Sequence, residues 1–111
     1  MEITTQRYKH CDLIGVKGRV DSYTAPQLNE AIEAVNKAGH YKIVLDLSEL
    51  EYMSSAGLRA LLVGQRNCKR YNRGEVVLAA VPKRIYEALD LTGFTPLFKI
   101  FDNVTAAVGS F

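Results

Sequence analysis

The side chains best placed for chemistry lie in Met53-Ser54-Ser55-Ala56-Gly57-Leu58. Two adjacent hydroxyls stand among small residues, just before a leucine-rich segment with helical spacing. An apolar strand, Lys42 to Leu47, leads into them through Ser48-Glu49-Leu50-Glu51, read as a loop. At such a junction the first N–H groups of the helix have no intrahelical partner and form the positive end of its dipole. A serine there can do one of two things. It can cap the helix by accepting a bond from the first turn. If exposed, it can carry a phosphate, an anion the helix start tolerates. On spacing alone Ser55 suits either role, and Ser54 is the alternative phosphoacceptor.

No catalytic constellation accompanies these serines. Ser54-Ser55-Ala56-Gly57 lacks the flanking glycine of a G-x-S-x-G elbow, and neither His10 nor His40 is placed as a base. There is no Walker or G-x-G-x-x-G phosphate loop. Asp46 has no second acid or histidine at a companion spacing, so it reads as a local hydrogen-bonding group at a strand end rather than a metal ligand. Asp21 and Ser22 precede the first helix, where they either shape the loop as an Asx-turn or face a partner. Cys11 and Cys68 are isolated, with no C-x-x-C, and read as two buried thiols in a reducing compartment. The expectation is a binding protein rather than an enzyme, with no metal and no cofactor.

The elements that must position these residues follow from periodicity. Ile3 to Tyr8 and Cys11 to Lys17 read as a hairpin across Lys9-His10, with Gly15 and Gly18 marking a bulge or a close backbone approach. Thr24-Ala25-Pro26-Gln27 reads as a helix start, Thr24 capping and Gln27 reaching back. Leu28, Ala31, Ile32 and Val35 form its inner stripe, Glu33 pairs with Lys37, and Gly39 ends it. A second helix is expected from Ala56 to Arg73, with Leu58, Leu61, Leu62 and Cys68 inward and Arg59, Arg66, Arg70 and Arg73 as an outer stripe. Glu75 to Val81 reads as a core strand. Pro82 opens a helix to Leu91 with Ile85, Ala88 and Leu89 inward, Leu97 to Phe101 is a last strand, and Asn103 caps a terminal helix. The order is ββαβαβαβα, an α/β fold in a single domain over residues 1–111.

Composition narrows the function classes. Apolar residues make up 48% and charged residues 23%, and the formal net charge of +2 gives no electrostatic case for nucleic acid. The longest apolar runs, near Ile43–Leu47 and Val76–Val81, are strand-sized, far below the ~20 residues that span a bilayer. Met1-Glu2-Ile3-Thr4 has neither a basic nor an apolar leader pattern, so the expectation is cytoplasmic with no membrane association.

Three segments, in order, carry a resemblance. Asp46-Leu47-Ser48 followed by Met53-Ser54-Ser55-Ala56-Gly57-Leu58 resembles the D-L-S … M-D-S-(S/A)-G-L signature of the STAS-domain anti-sigma factor antagonists. Gly18-Arg19-Val20-Asp21-Ser22-Tyr23-Thr24-Ala25-Pro26-Gln27-Leu28 is similar to that family's approach to its first helix. Leu89-Asp90-Leu91-Thr92-Gly93-Phe94 with Leu97 to Phe101 is similar to its L-x-L-T-G-(L/F) and following strand. The resemblance implies a mixed β-sheet with helices packed on one face.

It also implies a bacterial signalling switch in transcription regulation. The unphosphorylated form of such a protein binds an anti-sigma factor that is also a GHKL-type serine kinase, and so frees the sigma factor. The kinase phosphorylates the motif serine and a PP2C-type phosphatase reverses it. Carried over, the phosphoacceptor is Ser55, with Asp21, Ser22, Ser54, Ser55, Ala56, Gly57 and Arg59 on the partner-facing surface, in a monomer or weak dimer. Two departures stand out. Ser54 replaces the family's aspartate, and Arg59 stands where members often carry glycine. The alternatives are a non-switching STAS scaffold or interaction subunit of a signalling or transport complex, and a small-ligand or nucleotide module using the same helix start.

Overall fold

The computed structural model describes residues 1–111. Strand β1 (Glu2–Arg7) pairs antiparallel with β2 (Asp12–Val20). Lys9 and His10 form the turn, closed by the Tyr8 N–H donating to the Cys11 carbonyl at 2.8 Å. Helix α1 (Ala25–Lys37), β3 (Lys42–Asp46), β4 (Leu50–Met53), α2 (Ser55–Lys69), β5 (Glu75–Ala79), α3 (Lys83–Leu91), β6 (Ile100–Phe101) and α4 (Val104–Gly109) follow. The sheet runs β1-β2-β3-β5-β6, parallel from β2 onward. No helix is long and apolar enough to cross a membrane.

Both glycines of β2 act as their positions suggest. A Cβ on Gly15 would stand 2.7 Å from Thr4 Oγ1. Gly18 adopts φ +95°, and the register shifts between it and Arg19. That shift lets one strand serve two neighbours. Asp12 to Gly15 pair with β3, and Gly18 to Val20 pair with β4. Residues Leu50 to Met53, expected as loop, are therefore a strand. Four residues with the two middle ones exposed show no strand period locally, and the pairing comes from the far half of β2.

Strand alternation divides the core. Ile14, Val16, Ile43, Leu45, Val76 and Leu78 face one side, where α1 lays Leu28, Ile32 and Val35, α2 lays Ala60, Leu61 and Cys68, and α3 lays Ile85 and Leu89. Cys11, Val44, Val77 and Ala79 face the other side and are covered by Ala107 of α4, with Val104, Val108 and Phe111 around it. The expectation of helices on one face thus holds for three and is corrected for the fourth. Parallel strands apolar on both faces need two covers, each buried aliphatic chain contributing about 1.5–3 kcal/mol. Gly64 lets α1 and α2 approach closely, since a Cβ there would sit 3.1 Å from Ile32 Cδ1.

Several local expectations give way to tertiary context. Thr24 does not cap α1 with its side chain, because its hydroxyl is committed to the preceding loop. Glu33 accepts from Asn29 Nδ2 at 3.1 Å, one turn back, rather than pairing with Lys37. Ala88 is exposed. Thr95–Leu97 form a 3₁₀ turn, which shortens the last strand.

Helix α2 stops at Lys69, short of Arg73. Arg70–Asn72 form a 3₁₀ turn in which Tyr71 and Asn72 take φ of 60° and 55°. The arginine stripe breaks up accordingly. Arg73 lies over the Tyr41 ring, 3.8 Å from its centroid. Gly74 is required beyond it, because a Cβ there would overlap the Tyr41 carbonyl.

One buried polar side chain joins the layers. Gln65 accepts from the Val76 N–H through Oε1 at 2.7 Å and donates through Nε2 to the Val76 carbonyl at 3.1 Å and the Leu97 carbonyl at 2.8 Å. Ladder pairing between β5 and β6 begins only at Leu78. Gln65 therefore stands in for the missing strand at Val76. Replacing it with leucine strands one donor and two acceptors. Gln65→Leu is expected to cost about 3 kcal/mol, read as a lower urea midpoint at unchanged slope.

Candidate functional site

The end of β2, the end of β4 and the start of α2 meet at one corner. The Ser54 N–H donates to the Val20 carbonyl at 2.8 Å, extending the ladder to the last residue before the helix. Ser54 is extended (φ −82°, ψ 172°), and its hydroxyl accepts from the Gly57 N–H at 3.3 Å. Ser54 is thus the N-cap. Ser55, an equally good cap on spacing alone, is instead the first helical residue and is exposed. The following turn carries no acidic side chain, and Arg59 lies exposed one turn on. Gly57 is buried against the strands. A Cβ there would overlap Met53 Sδ and stand 2.8 Å from Val20 Cγ1.

The loop before α1 is held by its own side chains. Asp21 Oδ1 accepts from the N–H groups of Tyr23 (2.9 Å) and Thr24 (3.0 Å), which is the Asx-turn. Thr24 Oγ1 in turn accepts from the Asp21 N–H at 2.9 Å and donates to the Arg19 carbonyl at 3.0 Å. The Thr24 N–H, foremost, holds the Asp21 carboxyl below the usual aspartate range. Desolvation opposes this, and the Tyr23 N–H, the Thr24 hydroxyl and Arg19 add to the lowering. Asp21 therefore acts on its loop. Its neighbour Ser22 is exposed and shares a shallow cavity of about 270 Å³ with Pro26, Ala56, Arg59 and Val63. The fold brings Ser22, Ala56 and Arg59 together across the start of α2, with Ser54, Ser55 and Gly57 in the same turn.

Other side chains at this corner were not legible beforehand. Arg19 lies over the Tyr52 ring at 4.5 Å, a pair made by the β2–β4 register. Arg84 Nη2 donates to the Glu51 carbonyl at 2.7 Å, tying α3 to β4. Tyr23 stands 88% exposed beside the Asx-turn. Only register, which no local pattern reports, places these groups here. Asp46 accepts from the Ser48 N–H at 3.0 Å, a local loop-entry bond. No group of three or more His, Cys, Asp or Glu side chains is placed to hold a metal. What the corner offers is an exposed hydroxyl at the positive end of a helix, beside a shallow, partly apolar surface.

Known proteins share this architecture. The STAS domain model matches residues 2–107. BtrV of Bordetella bronchiseptica, a candidate anti-sigma factor antagonist, is 31% identical over all 111 residues and 95% of its own length. The anti-sigma-B factor antagonist of Listeria monocytogenes is 32% identical over 100 residues, covering 90% of this chain and 86% of its own. The crystal structure of an anti-sigma factor antagonist from Mycobacterium paratuberculosis superposes with a TM-score of 0.87 at 24% identity, over 98% of this chain and 92% of that one. Unphosphorylated SpoIIAA, an anti-sigma factor antagonist, gives 0.82 at 14%, over 98% and 95%.

Three substitutions at two positions test the corner. Gly57→Ala is expected to cost about 1–3 kcal/mol by overpacking and to shift the amide resonances of Val20, Met53 and Ser54. Ser54→Ala is expected to lose about 1 kcal/mol, while Ser54→Asp keeps the cap and gains from the dipole. Thermal melts of the three variants check both statements.

Proposed function

The chain belongs to the STAS-domain family of anti-sigma factor antagonists, regulatory binding proteins rather than enzymes, and from that premise we propose that it is a partner switch controlled by phosphorylation of Ser55. Its partner is an anti-sigma factor of the GHKL serine-kinase type, bound by the unphosphorylated form. A PP2C-type phosphatase restores binding. The docking surface comprises Ser22, Ser54, Ser55, Ala56 and Arg59, while Asp21 contributes through loop shape and the buried Gly57 by seating the helix start rather than by contact.

The observation that carries this reading is the division of labour between the two serines. Ser54 is engaged as the cap, and Ser55 is exposed outside that bond. A kinase needs a free hydroxyl, and Ser55 supports that role better than Ser54. Ser54 in place of the family aspartate preserves the cap without its charge, so α2 keeps its start. Phosphate on Ser55 adds about −1.5 to −2 charge at pH 7. Within the chain that charge meets unpaired N–H groups, the helix dipole and Arg59, a favourable setting worth about 0.3–1 kcal/mol. Against a packed partner the same charge must be desolvated without a dedicated counter-charge, which costs more. Tolerance within the chain and rejection across the interface make the modification a reversible switch.

Incubation with the cognate kinase and ATP, followed by peptide mapping, is expected to find phosphate on Ser55 and none in Ser55→Ala. Phosphate confined to Ser54 would overturn the assignment. Ser55→Asp is expected to weaken anti-sigma factor binding at least tenfold, about 1.4 kcal/mol by calorimetry. The phosphorylated protein should melt at the same temperature as the unmodified one or up to about 5 °C higher, since a gain of about 0.3–1 kcal/mol shifts the midpoint by no more than that at this chain length. A markedly lower melting point would mean that the switch works by refolding.

A further inference from the structure

At the opposite end of the parallel strands from Ser55, the start of β3 and the β1–β2 turn enclose a cleft of about 230 Å³. Arg7, Lys9, His10, His40, Lys42 and Arg73 line it. We propose that this cleft binds a small molecule through a phosphate group, independently of the partner surface at the start of α2.

The cleft is built rather than incidental. Beneath it lies Asp12, 5% exposed, whose Oδ1 accepts from Arg7 Nη1 at 2.7 Å and stands 3.2 Å from His40 Nδ1. The His40 ring thus lies against the same carboxylate that Arg7 engages. One buried carboxylate holds Arg7 by a direct bond and packs beside the His40 ring, as an anchor behind a binding site does. His40 is also fixed through its backbone. Its N–H donates to the Val35 carbonyl at 3.1 Å, and its carbonyl accepts from Asn36 Nδ2 at 3.0 Å.

Arg73 is held as firmly. It donates through Nη2 to the Asn67 carbonyl (2.7 Å) and through Nε to the Arg70 carbonyl (3.0 Å), and it stacks on Tyr41. The left-handed residues Tyr71 and Asn72 turn the chain so that Arg73 reaches this place, a conformation that costs about 1–3 kcal/mol for each such residue.

The charge count decides against a purely structural role. The ends of α1 and α2 point into this region, and each is offset by about half a positive charge. Asp12 takes one more. Arg7, Lys9, Lys42 and Arg73 supply four permanent positive charges, so about two remain unmatched even with both histidines neutral. Glu75, across the ladder from Lys42, is already paired with Lys99 at 3.2 Å. The overall charge of the chain is only +2, so this concentration is local. Two missing negative charges, a cavity for a few heavy atoms and preorganised guanidinium donors match a phosphate group.

The test titrates the isotope-labelled full chain with pyrophosphate at pH 7, holding ionic strength constant with sodium chloride. Saturable amide shifts are expected at Lys9, His10, His40, Lys42 and Arg73, with a Kd below about 1 mM and no movement at Ser54 to Arg59. Lys42→Gln, at an exposed strand end that leaves the Asp12 contacts intact, should weaken binding at least about fivefold. Parallel titrations with inorganic phosphate and ATP distinguish recognition of a free anion from recognition of a larger ester. Shifts that drift without saturating, shifts centred on α2, or a Kd unchanged in both Lys42→Gln and Arg7→Gln would overturn the proposal. Anti-sigma factor binding by Lys42→Gln should match wild type, so the partner switch and the cleft stand or fall separately.

Discussion

The packing of Gly57 against Val20 and Met53 is the contact on which the arrangement of the site depends. Because no Cβ intervenes, the first turn of α2 sits directly on the ends of β2 and β4. The ladder bond from Ser54 to Val20 then falls into place, and the Ser54 hydroxyl lies within reach of the first-turn N–H. Ser55 follows as the outward residue. A longer approach would tilt the helix away, release the cap and blur the distinction between the two hydroxyls. The small residues of the motif thus have a steric reason before they have a functional one.

That contact is possible because β2 changes partners midway. The bulge at Gly18 turns the second half of the strand from β3 to β4. The strand end carrying Val20 comes to lie under α2, and Arg19 comes to lie against Tyr52. The rest of the sheet serves as a rigid platform. It is apolar on both faces, covered by three helices on one and by α4 on the other, with Gln65 sealing the open edge of β5. Such a platform suits the proposed switch, in which the two states would differ by charge at one exposed hydroxyl rather than by a change of fold.

The two ends of the parallel strands differ in chemistry. The carboxyl ends present the start of α2, its free N–H groups and a shallow, partly apolar surface, which suits docking to a protein. The amino ends gather arginine, lysine and histidine around the buried Asp12, beside the carbonyl ends of α1 and α2. Helix polarity underlies this separation, since in this topology α1 and α2 run antiparallel to the strands they cover and their dipoles align.

Patterns confined to one segment were legible from residue order. Continuous apolar runs mark β3 and β5, the 3.6-residue stripe marks α1, Asn103 caps α4 through its bond to the Ala106 N–H, and Gly39 takes the left-handed turn after α1. The Asp21 turn, the hydroxyl pair at Ser54 and Ser55 and the order of the major elements belong to the same class. Each depends on bonds spanning a few residues, so local sequence determines it. What only the tertiary structure decided is every feature that needs two distant segments in register. These are β4 as a strand, the second cover over Val44 and Val77, Arg73 on Tyr41 instead of in a stripe, and the gathering of Arg7, His40 and Lys42 over Asp12. The choice of Ser54 over Ser55 as the cap belongs here too. Both serines satisfy the local rule, and only the ladder bond to Val20, thirty-four residues earlier, sets which one stands at the boundary.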